Sequence, residues 1–401
     1  MARAGARDGC PGALQVHQAA DGALVRVRLP GGMISAAQLW VLAQASDRFG
    51  SGTLELTARG SVQIRGITDP APVADAVAAA GLLPSAMHER VRNIVASPLS
   101  GRVGGRSEVR GWVADLDAAI RAEPVLASLP GRFWFSLDDG GGDVSGLGAD
   151  VGAYAADGGA ALLLAGHDTG IRMAPADVVP AMVAVAARFV AVRENAWRVA
   201  ELTDVSDLLP GAELSATQFA PVTTPPVGWI EQDDGRIALG AAVPLGVLRS
   251  QVAEYLAAIE APLVVTPWRS VLVVDLDEAA ADAALRVLAT LGLVFDETSP
   301  WLLVSACAGS PGCERSAADV RADATAAVGS GDTGTRRRHF VGCERACGSP
   351  PTGEVLVATG SGYRLLRPAA EPGAADRHLN NPGPTASAAE PGAAGRHLNN
   401  L

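Results

Sequence analysis

The chain has 401 residues, 48% of them hydrophobic and 19% charged, and a formal net charge of −11, a globular composition long enough for two or three packed units and not that of a disordered chain. The acidic balance argues against a nucleic-acid surface. VVPAMVAVAARFVAV (178–192) is too short for a membrane span and no apolar core follows the N-terminal arginines, so a cytoplasmic protein without a membrane partner is expected.

In chain order, ALVRVRL (23–29) alternates as a strand. Ser35 is placed to cap an amphipathic helix, SAAQLWVLAQASDRF. Two short strands are predicted at LELT (54–57) and SVQIRGI (61–67), then a helix over 72–81. Residues 90–225 read as mixed α/β, closed by the Pro/Thr-rich linker VTTPPVG (222–228).

The first order then returns. DGRIALGAAVPLG starts at 234, followed by a helix (VLRSQVAEYLAAI), strands at PLVVT and SVLVVDL, and a helix from about Asp277. DGALVRVRLPGG at 21 echoes the start of this set, and LTARGSVQI at 56 echoes VTPWRSVLV at 265, which together indicate an internal duplication. Two duplicated halves facing one another about a pseudo-twofold axis would offer a crevice for a large ligand. EPGAADRHLNN (371–381) recurs as EPGAAGRHLNN (390–400), a polar tail without apolar periodicity whose His378 and His397 read as solvated.

Two further features carry chemistry. All 32 basic residues are arginine, so any mechanism that needs a lysine ammonium is excluded. Four of the five cysteines form two pairs, Cys307-x5-Cys313 and Cys343-x3-Cys347, with Cys10 far away. Four thiolates complete the shell of a [4Fe–4S] cluster, and Gly309, Pro311, Gly312, Gly342 and Gly348 favour backbone wrapped around a compact object. Structural zinc normally uses tighter pairs, and buried thiols with no shared ligand are the remaining alternative.

C-x5-C followed by C-x3-C resembles the cluster signature of the sulfite and nitrite reductase family, in which the last cysteine also bridges to sirohaem iron. LTARGSVQIRGI (56–67) is similar to that family's tetrapyrrole-contacting strands, placing Arg59 there, and VRNIVASPLSG (91–101) to its next motif, placing Arg92 and Asn93 at the tetrapyrrole. The resemblance covers residues 10–368 and implies an α+β, reductase-like fold. Its parts are two pseudo-symmetric ferredoxin-like halves (10–85 and 228–297), an α/β domain (86–222), an α/β cluster-binding region (298–368) and the tail (369–401).

CPGALQVHQAADGALVRVRLPGG (10–32), TPWRSV (266–271) and HFVGCERAC (339–347) resemble most closely the cobalamin-pathway branch of the family, although Glu344-Arg345-Ala346 stands where smaller residues are expected. In LPGRFWFSLDDGG (129–141), Arg132-Phe133-Trp134 replaces the Lys-Phe-Lys that resemblance assigns to sulfite reductases. Arginine clamps an anion but is a poor proton donor near neutrality. The resemblance therefore implies a monooxygenase, not a sulfite reductase: O2-dependent hydroxylation of precorrin-3A at C20, with γ-lactone formation, in aerobic cobalamin biosynthesis. Arg59, Arg65, Arg92, Arg132 and Arg269 would bind its carboxylates and Trp268 would stack on the macrocycle.

The branch further implies a mononuclear non-haem iron. No 2-His-1-carboxylate set is evident by spacing, and His17, His88, Glu89 and His339 are the nearest hints. GLGADVG (146–152) does not match a nicotinamide fingerprint, so electrons from NADH are expected through a ferredoxin or reductase partner. Two other readings stay open: a sirohaem-containing nitrite or sulfite reductase, and a tetrapyrrole-binding electron-transfer protein with no chemistry of its own.

Overall fold

The structure is a computed structural model and describes residues 8–216 and 218–367. The duplicated tail, with His378 and His397, lies outside the described residues.

The first βαββα set forms as its sequence dictates. Val25, Val27 and Leu29 turn one face of their strand into the core. Ser35 caps the helix Ala36–Phe49 in a full capping box with Gln38, satisfying backbone donors that the first turn leaves free. Strands Thr53–Leu56 and Val62–Ile67 pair antiparallel, and a helix Pro70–Ala79 follows, capped by Asp69. The second set repeats this with strands Ile237–Ala242, Leu263–Val265 and Ser270–Leu276 and helices Ser250–Ala257 and Glu278–Thr290.

Neither set closes its own sheet. Met33–Ile34, from the first half, pairs with Leu263–Val265 of the second. Val247–Arg249, from the second half, pairs with Thr53–Leu56 of the first. Residues 247–249 were expected to begin a helix and are instead this exchanged strand; the helix starts at Ser250. Two five-stranded sheets result, completed at the edges by His17–Ala19 and Gly228–Glu231. Between them the helices Ala36–Phe49 and Ser250–Ala257 pack together, and a single core unites Leu42, Leu54 and Ile64 with Leu239, Leu256 and Val273. Each fully buried aliphatic side chain there contributes roughly 2 kcal/mol.

The duplication extends to backbone angles. Thr57 Oγ1 accepts from the N–H groups of Arg59 and Ser61, and Thr266 Oγ1 accepts in the same way from Trp268 and Ser270. Gly32 and Gly246 hold φ of 72° and 70° at matching crossings. A Cβ on Gly32 would stand 2.0 Å from the Val265 carbonyl oxygen, so the halves meet there only because no side chain intervenes.

Residues of the central segment build a mixed sheet in the order His167–Met173, Gly159–Leu164, Val151–Ala156, Phe135–Asp138, Ile94–Ala96, covered by helices Arg110–Ala122 and Val178–Val192. Pro175–Val192 meets the length and composition of a membrane span, contrary to the expectation from sequence. Its Val178, Met182, Val185, Ala186 and Phe189 are nevertheless buried in the core of this sheet, and Arg188 donates to the Leu208 carbonyl at 2.9 Å. The last sheet runs Val304–Ala306, Arg338–Val341, Glu354–Thr359, Gly362–Arg367, the first three parallel.

Candidate cluster site and arginine cradle

The four cysteines converge because two neighbouring parallel strands end together. Val304–Ala306 delivers Cys307 and Arg338–Val341 delivers the Gly342-Cys343 turn, in register through the Ala306–Phe340 pair. The Cys307 N–H donates to the Phe340 carbonyl at 3.0 Å and the Gly342 N–H points at Cys307 Sγ at 3.3 Å. Gly342 sits so close to Ser316 that a Cβ would overlap its hydroxyl at 1.8 Å. The Ala317 N–H, just after Cys313, donates to the Gly342 carbonyl at 2.9 Å and brings that loop to the same corner, where burial and then the charges of Cys307 and Cys343 raise the thiol pKa of Cys347.

Among the described residues, the group of three or more His, Cys, Asp or Glu ligand atoms lying within 4.8 Å of one another is Asp138, Asp139 and Asp143. The sulfurs are therefore spread more widely than around one zinc ion, where thiolates bound at about 2.3 Å lie under about 4 Å apart. Four thiols on turned loops, with a backbone N–H aimed at one sulfur, fit a [4Fe–4S] cluster.

The residues flagged for a second iron do not fit one. Glu89 accepts the N–H groups of Ala13, Leu14 and Gln15 at 2.7–2.9 Å. His88 is held between Ser85 and the Glu123 carbonyl, and His339 between Ser305 and the Cys347 carbonyl. His17 stands apart on an exposed edge strand. In the aspartate group, Asp138 accepts from the N–H groups of Gly140, Gly142, Val144 and Ser145, the work of a loop clasp.

A second cluster of side chains is cationic. Arg28 is 2% exposed, and its Nε and Nη1 have no hydrogen-bond partner among the described residues. Its Nη2 donates to the carbonyls of Pro11 and Arg90 at 3.2 Å. Burial and then the charge of Arg26 hold its pKa well below the usual guanidinium value. Arg59 is lowered to about 10 by burial, then by Arg198 and Arg26. No carboxylate ion-pairs with Arg26, Arg28 or Arg59 among the described residues. Trp134 is buried between Arg59 and Arg198, each 5.9 Å from its ring. Arg198 is already paired with the buried Asp150 at 2.7 Å, so the uncompensated charge lies on Arg26, Arg28 and Arg59, where an anion would offset the cost of burial.

The N-terminal segment straps this cradle. Asp8 accepts from the Gly131 N–H at 2.7 Å and pairs with Arg90 at 3.1 Å, while Glu89 holds residues 13–15. Cys10 sits beneath, against Gly131, its thiol pKa pushed up by burial and by Asp8 and drawn down by Arg26 and Arg28.

The sequence candidates separate into three settings. Arg59 belongs to the cradle and donates to the Gly131 carbonyl. Asn93 shapes the cradle wall by donating to the carbonyls of Arg90, Gly131 and Phe133. Arg132 is exposed and lies 4.9 Å over the Trp197 ring, and Phe133 is in the core of the mixed sheet. Arg92 is in a buried ion pair with Asp117 at 2.6 Å. Trp268 donates its indole N–H to the Val222 carbonyl. Arg65 and Arg269 reach the cysteine loops instead, donating to the carbonyls of Gly312 at 2.6 Å and Gly348 at 3.0 Å. Sequence reasoning missed Arg26 and Arg28, although alternation in ALVRVRL placed them on one face, and Arg198, which no local pattern marked.

Residues 17–77 match the family description "Nitrite/Sulfite reductase ferredoxin-like half domain". The chain is 27% identical, over 94% of its length and 86% of the relative's, to a protein named precorrin-3B synthase from Sinorhizobium sp. The fold of the chain is that of the nitrite and sulfite reductases. Its fold agrees with that of the Mycobacterium tuberculosis NirA protein at a TM-score of 0.71 and 20% identity, over 86% of this chain and 74% of that one. A ferredoxin–nitrite reductase of Synechococcus elongatus is 30% identical over 29% of this chain and 25% of its own. The half domain matched by that description, residues 17–77, is the part that carries Arg59 and Arg65.

Proposed function

We propose that the protein is a precorrin-3B synthase: it hydroxylates precorrin-3A at C20 with O2 and closes a γ-lactone from the ring A acetate. One oxygen atom enters the substrate, and the other leaves as water with two electrons and two protons supplied through an external donor. The observation that carries the reading is the group of Arg26, Arg28 and Arg59, without a paired carboxylate among the described residues, beside Trp134, which lies under Arg59 and Arg198, with no lysine available. Precorrins bear eight carboxylate side chains, which guanidinium groups bind in bidentate fashion. Similarity over nearly the whole chain to a protein of that name supports the same choice.

In this reading Arg28 and Arg59 hold substrate carboxylates, Asp150 keeps Arg198 aimed at Trp134 through contacts of 2.7 and 2.9 Å, and the 8–15 strap shields the macrocycle from water. Cys307, Cys313, Cys343 and Cys347 would hold the [4Fe–4S] cluster, which supplies electrons one at a time when bound. A ferredoxin or reductase carrying electrons from NADH is the partner this requires.

The test is anaerobic purification followed by assay of iron, sulfide and extracted tetrapyrrole, then turnover of precorrin-3A with and without O2. A cluster without sirohaem and O2-dependent formation of precorrin-3B is the expected result. Sirohaem bands with nitrite or sulfite turnover would overturn the proposal, as would tight tetrapyrrole binding without product under any redox condition.

A further inference from the structure

The cysteine loops are gripped from outside their own sheet. Arg65 lies on strand Val62–Ile67 of the first half and donates to the carbonyl of Gly312, the residue before Cys313. Arg269 lies at the corner before strand Ser270–Leu276 of the second half and donates to the carbonyl of Gly348, the residue after Cys347. Each ferredoxin-like half thus sends one guanidinium to one cysteine pair.

The two arms are anchored differently. Arg65 is fixed by a two-pronged contact with Asp21, both at 3.0 Å, and by Glu55 at 3.8 Å. Glu55 in turn takes Arg321 from the helix Val320–Gly329 of the cluster region, which ties the same sheet face to that region a second time. Arg269 ion-pairs with no carboxylate among the described residues, and Gly348 makes room for it, since a Cβ there would lie 2.8 Å from its Nη2. It keeps this reach from a left-handed backbone position at φ 60°, one that a non-glycine residue holds only under strain.

We infer that Arg65 and Arg269 are positioning residues that clamp the two cysteine loops at a fixed separation and hold two positive charges beside the cluster. A cluster gains negative charge on reduction, so neighbouring guanidinium groups favour its reduced form and raise its potential. Through this clamp the packing of the two halves sets the electron-transfer properties of a site that neither half contains. The inference rests on the cluster reading of the four cysteines.

The experiment is a redox titration of the cluster, followed by electron paramagnetic resonance, in the full-length protein and in R269M, R269K, R65M and R65K. R269M and R65M are expected to shift the midpoint potential negative and to speed loss of iron to a chelator. R269K and R65K are expected to return the potential most of the way while leaving chelator loss faster than in the parent protein, because lysine restores charge but not the planar fork. Arg172→Met, an exposed site, should leave both unchanged. If R65M fails to fold with Asp21 and Glu55 unpaired, R269M, whose removal strands no carboxylate, decides the matter. A parent protein without iron and sulfide overturns the cluster reading and the clamp with it. A parent protein with a full cluster whose potential is the same in R269M overturns the clamp alone.

Discussion

Gly60 and Arg269 occupy the same corner of the two duplicated halves, at φ 62° and 60°. In the first half the corner is pressed against the second, and a Cβ on Gly60 would lie 2.8 Å from the Val265 carbonyl oxygen. In the second half the corner opens toward Gly348, so a long side chain fits and is put to use. Gly60→Ala is therefore expected to lower stability by about 2–4 kcal/mol, from overlap and strain together. Arg269→Gly relieves strain while losing a hydrogen bond, and should change stability by less than about 1 kcal/mol. Urea denaturation of the two variants checks the contrast.

The ligand set makes a sharper separation. Serine at any of positions 307, 313, 343 or 347 should remove the cluster absorbance and lower iron and sulfide content severalfold, whereas Cys10→Ser should leave both at the parent level. Cys10 stands against Gly131 with its N–H on Asp8, a setting that none of the other four cysteines shares among the described residues. A full cluster spectrum in Cys347→Ser would rule out the four-ligand assignment.

Arg28 holds a charge that the folded protein only partly satisfies. Arg28→Met keeps most of the volume and removes the orphaned donors, so Tm is expected to rise by about 2–5 °C. Binding of an octacarboxylate porphyrin should weaken by roughly tenfold or more in the same variant, because a buried guanidinium–carboxylate pair is lost. Thermal melts and fluorescence titration on one preparation test both halves of the trade.

Asp143 gives the pH prediction. Burial is the main cause that lifts its pKa to about 7, with Asp138 and Asp139 adding repulsion against the stabilising bond from Ser97. The folded state then holds a proton that the unfolded chain releases in the ordinary carboxylate range. Its contribution is fully present below that range and is lost as pH rises through about 7. Stability should fall between pH 5 and pH 8 by on the order of 2 kcal/mol from this group, and Asp143→Asn should flatten that decline. Denaturation midpoints across the interval, in parent and variant, provide the measurement.

Much of this was legible in the sequence where a pattern repeats over enough residues. Alternation marked the strand before Pro30, Ser35 as a cap marked the start of the long helix at Ala36, and the paired Asp-Gly openings exposed the duplication. The exchanged strands were not legible, because Met33–Ile34 and Val247–Arg249 are two and three residues long and carry no period of their own. The convergence of the cysteines was suggested by their spacing, since the members of each pair lie close in sequence. The cradle did not emerge, since Arg28, Arg59, Trp134 and Arg198 come from separate elements and meet only through tertiary packing. Two arginines assigned to a tetrapyrrole by resemblance, Arg65 and Arg269, hold the cysteine loops, a distinction that depends on which way a side chain leaves its strand.

Duplication leaves the protein with two equivalent sheet faces, yet they do not remain equals. By the matched pairings of the two halves, Arg26 and Arg28 correspond to Gly240 and Ala242. At Gly240 a Cβ would lie 2.3 Å from the Pro226 carbonyl oxygen, so the connecting segment has moved onto that face and sealed it. One copy became a charged floor and the other a foundation. A scaffold made by doubling thus ends with two faces of opposite character.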